Sequence, residues 1–192
     1  MGKERLAAFS DGVIAIIITI MVLELKVPHG ADLAALTPVA PHFASYVLSF
    51  IYIGIYWNNH HHMLHTVQHV DGLILWANAH LLFWLSLVPA ATAWLGENFL
   101  MPLPAALYGV TLLMPAIAYY LLQFAITHRQ GKDSVLRRAI GADIKGKISP
   151  LLYLAAVAIA FISPAASLAL DALVALMWLV PDRRIENAVG RA

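Results

Sequence analysis

Apolar positions in this chain come in long blocks, and polar positions mark the gaps between them. A helix needs about 20 apolar residues to cross a bilayer. Six blocks reach or approach that length: 6–25, 37–57, 72–95, 102–127 and the two halves of 148–180, divided at Ser163 and Pro164. Pro38 and Pro41 stand near the start of the second block, where a helix has no use for the missing N–H. The last two blocks hold about 16 residues each, short for a full span. Pro164 breaks the backbone ladder and disfavours helix at Ser163, so the pattern predicts a tight helical hairpin there.

The cations test this count. Lys3 and Arg5 precede the first block. Arg129, Lys132, Arg137, Arg138, Lys145 and Lys147 lie between the fourth and fifth, and Arg183, Arg184 and Arg191 follow the sixth. With six crossings all three groups fall on one side, and the opposite loops carry Lys26 alone. The positive-inside rule then puts both termini in the cytoplasm, with the chain in the cell (inner) membrane. Five crossings scatter the charges. Lys3 and Arg5 ahead of residues 12–23 have the outline of a signal peptide, but Asp11 interrupts it and no A-x-A site follows, so cleavage is not expected. A short histidine-rich cytoplasmic loop joins the second and third blocks. With no long linker and no clear repeat, one membrane domain over 1–192 is expected.

Composition supports this reading. Hydrophobic residues make up 61% of the 192 and charged residues 12%, against about 45–50% and about 25% in soluble domains. Mean hydropathy is +0.76. The fold class is therefore all-α membrane protein, with six transmembrane helices in a lipid bilayer. The absence of cysteine excludes disulfides, a thiolate nucleophile and cysteine-held metals. A net charge of +1 gives no footprint for nucleic acid.

The first block carries Arg5, Ser10 and Asp11 in an otherwise apolar span. On a wheel of 100° per residue with Ile16 at zero, Gly12 falls at about −40°, Ile20 at about +40°, Leu23 at about −20° and Thr19 at about −60°. Asp11 falls at about −140° and Ser10 at about +120°. The branched stripe and the polar pair thus point different ways. A cap at Ser10 would leave too short a helix to span. Starting near Lys3 makes Asp11 interior, where a carboxylate must face protein or water.

The run Arg5-Leu6-Ala7-Ala8-Phe9-Ser10-Asp11 has the form R-x-x-x-F-S-D. It resembles the signature of the transmembrane protein 175 family, the lysosomal potassium channels and their bacterial relatives. Trp57 followed by His60 looks like the family's Trp/His pair at the end of its second helix. The helix count and chain length suit the single-repeat bacterial branch. The resemblance implies a homotetramer with four first helices around a central pore, K+ as the permeant ion and no bound cofactor. It implies that Arg5, Phe9, Ser10, Asp11, Trp57 and His60 form a network holding the pore helix. It implies a hydrophobic constriction at Ile16, with Thr19, Ile20 and Leu23 along the same wall. No T-V-G-Y-G-like filter loop occurs in the chain. An apolar ring penalises every ion, and least those that shed water cheaply, so modest selectivity for K+ over Na+ is expected. Glu24, near the outer mouth, either adds a cation-attracting field or pairs with Lys26.

Two rival readings compete. His61, His62, His65 and His69 have spacings that on a helix suit zinc or copper, with His62, His65 and His69 on one face. Membrane metal enzymes of the hydroxylase kind need several such clusters, and here there is one, with no carboxylate before Asp71. The blander roles for these histidines are helix capping, interfacial contacts or pH sensing. Asp171, inside the sixth block, is the one candidate midplane charge for a secondary cation transporter. The alanine-rich fifth and sixth blocks suit close helix packing.

Overall fold

The structure, a computed structural model, describes residues 2–131, 136 and 143–179. The expected cation groups at Lys132, Arg137, Arg138, Arg183, Arg184 and Arg191 lie outside the described residues. Each expected block contains helix. These are α1 (Lys3–Leu23), α2 (Ala40–His65), α3 (Gly72–Ser86), α4 (Val88–Glu97), α5 (Pro102–Gln130), α6 (Ile144–Ala160) and α7 (Pro164–Leu179). A 3₁₀ segment, Leu33–Val39, leads into α2. In a bilayer every backbone N–H and C=O must be satisfied within the segment, which makes helix the outcome even for the Ile-rich run of α1.

Among the described residues, four stretches are long and apolar enough to span: Lys3–Leu23, Leu33–His65, Gly72–Glu97 and Pro102–Gln130. The expected hairpin is present as α6 and α7, with Pro164 opening α7. Two local readings are corrected. The third block is two helices separated by the single residue Leu87, because Pro89 has no N–H for the carbonyl of Leu85. The histidine-rich segment is not a loop up to His65, since α2 runs through it; the connection is only residues 66–71. Nothing in His60–His65 breaks a helix, and their polarity alone suggested a loop.

Helix α5 packs along α6 and α3, and α7 packs against α6. Helix α1 sits at the edge of the bundle on α2, α3 and α4. One apolar cluster joins α1 to α2, α3 and α5 through Leu6, Ile14, Ile17, Ile53, Leu81 and Leu122. A second binds α2, α4 and α5 to the hairpin. Small residues set close seams. A Cβ at Gly96 would meet His42 Cα at 2.9 Å, and one at Gly109 would meet Val157 Cγ2 at 2.9 Å. Asp71 caps α3 by accepting from Ile74 N at 3.0 Å and pairs with Arg129 at 2.7 Å, tying the start of α3 to the end of α5.

Candidate functional site

Helix α1 has two faces of different chemistry. Its buried stripe is Leu6, Ser10, Ile14, Ile17 and Met21, which on the wheel lies about 120° from Ile16. Against this bundle-facing side, Ile16 is 58% exposed, Leu23 80% and Phe9 59%, and Ile20 and Thr19 are exposed as well. Ile16 and Ile20 look onto an apolar groove of about 560 Å³ that also meets Pro89, Ala90 and Glu24. Own-subunit packing therefore leaves the branched stripe uncovered.

The polar residues of the signature are divided between two partners. Ser10 is fully buried and faces α3, whereas Asp11 is half-buried and faces α2. Asn78 Nδ2 donates to Ser10 Oγ at 3.0 Å, and Ser10 Oγ donates to Leu6 O at 2.8 Å. His60 Nε2 lies 2.7 Å from Asn78 Oδ1. Because that oxygen only accepts, His60 carries its proton on Nε2, and the chain of donors runs His60 to Asn78 to Ser10 to the α1 backbone. On the other side, Trp57 Nε1 donates to Asp11 Oδ1 at 3.0 Å. Two polar arms, one from Trp57 and one through Asn78, thus fix the rotation of α1.

Asn78 escaped the sequence reading. Its signal was present: an amide in the middle of an apolar span needs a partner in protein. What the sequence does not supply is its level relative to Ser10, 68 positions away. Arg5 is exposed and makes no hydrogen bond or ion pair among the described residues, so within one subunit it stands outside the network. Phe9 likewise points away from the bundle. Lys26 pairs with Glu97 at 2.7 Å, linking the C-terminal end of α1 to α4. Of the two roles considered for Glu24, the pair with Lys26 is not formed, and Glu24 is exposed.

The histidines are also divided. His60 points inward, while His61 and His65 stack edge to face at 4.4 Å on another side of α2, below Trp57. His62 is half-buried, with its ring 5.7 Å from that of His61. His69 lies beyond the end of α2, so the expected His62–His65–His69 face does not form. No three metal-ligating side chains converge among the described residues.

A double-mutant cycle tests the arm from Trp57 to Asp11. Asp11→Ala and Trp57→Phe each remove one partner of the bond and are each expected to destabilise the purified protein. Their coupling is expected at about 0.5–1.5 kcal/mol, the range of an ordinary hydrogen bond rather than a fully buried charged one. Thermal unfolding in detergent measures it, and strict additivity rejects the contact.

Among the described residues, seven helices in six apolar blocks, with a first helix locked by polar side chains and an unclaimed aliphatic face, define a multi-pass, all-α membrane protein. Residues 5–89, which cover the signature, Trp57, His60 and Asn78, match the family described as endosomal/lysosomal potassium channel TMEM175. The chain is 53% identical over 189 residues to a potassium channel of Chryseobacterium sp. (strain P1-3), covering 98% of each. It also resembles the crystal structure of a lysosomal potassium-selective channel TMEM175 homologue from Chamaesiphon minutus. That match has a TM-score of 0.79 at 31% identity, over 94% of this chain and 97% of the other. A stretch of 80 residues is 36% identical to the human endosomal/lysosomal proton channel TMEM175, 35% of this chain and 16% of that protein. The chain belongs to the TMEM175 family.

Proposed function

We propose that this chain is one subunit of a K+-selective channel, a homotetramer whose ion path is lined by α1 at Ile16, Thr19, Ile20 and Leu23. The observation that carries the reading is the division of α1. One side is hydrogen-bonded and buried, and the opposite side is an exposed aliphatic stripe at the edge of the bundle. A helix so anchored is free to present that stripe to a symmetry axis. The names borne by the relatives point the same way, and both termini are assigned to the cytoplasmic side of the cell membrane from the charge pattern.

The chemistry follows from the side chains. A ring of isoleucines offers a permeant ion no ligand, so conduction there depends on wetting. K+ gives up hydration more cheaply than Na+ and is favoured. Thr19 Oγ1 donates its proton to Ile16 O at 2.9 Å, which leaves the hydroxyl's lone pairs free for a cation one turn from the constriction. Glu24, unpaired with Lys26 and exposed, supplies a field that concentrates cations at the outer mouth. The reading requires no metal or organic cofactor, and the relatives are named as channels rather than enzymes.

Purified protein reconstituted in a planar bilayer with K+ and Na+ on opposite sides tests it. The expected result is discrete current steps that reverse near the K+ equilibrium potential. Saturating flux without steps, or flux coupled to protons, would instead indicate a transporter.

A further inference from the structure

Far from α1, the interface of α7 with α2, α5 and α6 encloses a carboxylate. Asp171 is 0% exposed, and neither of its carboxylate oxygens has a hydrogen-bond partner among the described residues. Ser167, one helical turn away on the same face of α7, is also 0% exposed, and its hydroxyl has no hydrogen-bond partner among the described residues. Two orphaned polar groups on one buried face are unusual, since buried polar atoms are nearly always satisfied. The titratable groups facing Asp171 are Tyr52 from α2, Tyr108 from α5 and Tyr153 from α6. None of these is a cation. The Tyr52 hydroxyl donates to the backbone carbonyl of Asp171 rather than to its carboxylate. Tyr108 is engaged with Ser49 at 2.9 Å, and Ser49 with Thr92 at 2.7 Å.

Two of these tyrosines, Tyr52 and Tyr153, also line a cavity. Their ring centroids lie 6.1 Å apart, and they form the inner end of this cavity of about 70 Å³. Its walls continue through Tyr56 and Tyr119 to Asn59 and Asp143. From Tyr153 back to Asp143 is about 15 Å along α6, so the cavity runs from the bundle interior to the end where α1 begins.

We propose that Asp171, with Ser167 beside it, is a proton-binding site inside each subunit, separate from α1 and reached through the tyrosine-lined cavity. A lone ionised carboxylate in an apolar interior lacks both solvation and a counter-charge, whereas the neutral acid needs neither. One proton from water in the cavity converts the carboxylate to the acid, and its release leaves one negative charge among three tyrosines. That charge must then draw in water or a cation, or push α7 away from α2, the helix that carries Trp57 and His60. The site thereby links proton occupancy to the packing of a helix that anchors α1.

Infrared spectroscopy of the reconstituted wild-type protein tests the site without any current measurement, so its outcome is independent of the channel reading. Carboxylates in water ionise near pH 4 (reference values of about 3.9 for Asp and about 4.3 for Glu). A carboxylic-acid carbonyl band is expected to persist at neutral pH and to shift in D2O. It should vanish in Asp171→Asn, survive in Asp171→Glu and move in frequency in Ser167→Ala. Absence of the band from folded wild-type protein at neutral pH overturns the proposal, as does its survival in Asp171→Asn. A carboxylate band that responds to added K+ or Na+ instead would assign the site to a metal cation. Should Asp171→Asn fail to fold, the presence or absence of the wild-type band at neutral pH and its shift in Ser167→Ala still decide.

Discussion

Ile16→Asn is expected to raise unitary K+ conductance roughly 5- to 30-fold, the effect of removing a dewetting barrier of about 1–2 kcal/mol. The same change should narrow the preference for K+ over Na+. An amide ring gives both ions an oxygen ligand, whereas the aliphatic ring discriminates only through the cost of shedding water. The side chain of Ile16 is left uncovered by its own subunit. Val22 is the control. It is also exposed, but sits about 120° from Ile16 around the helix, so Val22→Asn should leave conductance and selectivity unchanged. Single-channel recordings of both variants under a K+/Na+ gradient measure the contrast. Unchanged conductance in Ile16→Asn removes this residue from the ion path.

Asn78→Leu is the variant expected to do most damage to the anchor. It strands two buried groups at once: the Nε2–H of His60 loses its acceptor, and Ser10 Oγ loses its donor. Each unpaired buried group costs about 1–3 kcal/mol, and Ser10 keeps its bond to Leu6, so the total is expected at about 2–4 kcal/mol. Asn59 is the comparison. Its amide bonds within its own helix to Ile55 O at 2.8 Å, and Asn59→Ala should cost less than about 1 kcal/mol. Thermal unfolding of the purified assembly ranks the two. Equal losses would mean that the Ser10–Asn78–His60 chain has no special weight. Reduced current in Asn78→Leu at temperatures where the protein remains folded would show that the rotation of α1, and not only its stability, depends on this chain.

The legible parts of this protein were those carried by local periodicity. Apolar block lengths gave the helices, and Pro164 gave the hairpin, because a missing N–H acts where it stands. The block at 72–95 was found as a span, but its break was not. Pro89 is tolerated near a helix start and inside one alike, and only the path of the chain shows that a new helix begins there. His60–His65 read as a loop because polarity suggests water, yet helix propensity is indifferent to polarity and α2 continues through them. Helical spacing grouped the remaining histidines on one face, and the end of α2 at His65 separated His69 from it.

For the candidate site, the wheel of α1 already separated the polar pair from the Ile16 stripe, since 100° per residue is a property of the backbone. Which partner each polar residue takes was beyond it. Ser10 and Asp11 look alike as a pair, but one turns to Asn78 on α3 and the other to Trp57 on α2. Lys26 chose Glu97 over Glu24, two residues away in sequence, because the end of α4 lies beside it in space. The sequence alone thus determined a membrane-embedded, all-helical chain with a first helix of two chemistries, because hydropathy and helical periodicity act over a few residues. The tertiary structure decided the partners, the break in the third span and the enclosure of Asp171. Each of these depends on side chains from distant helices arriving at the same level of the bundle, and no spacing along one helix encodes that level.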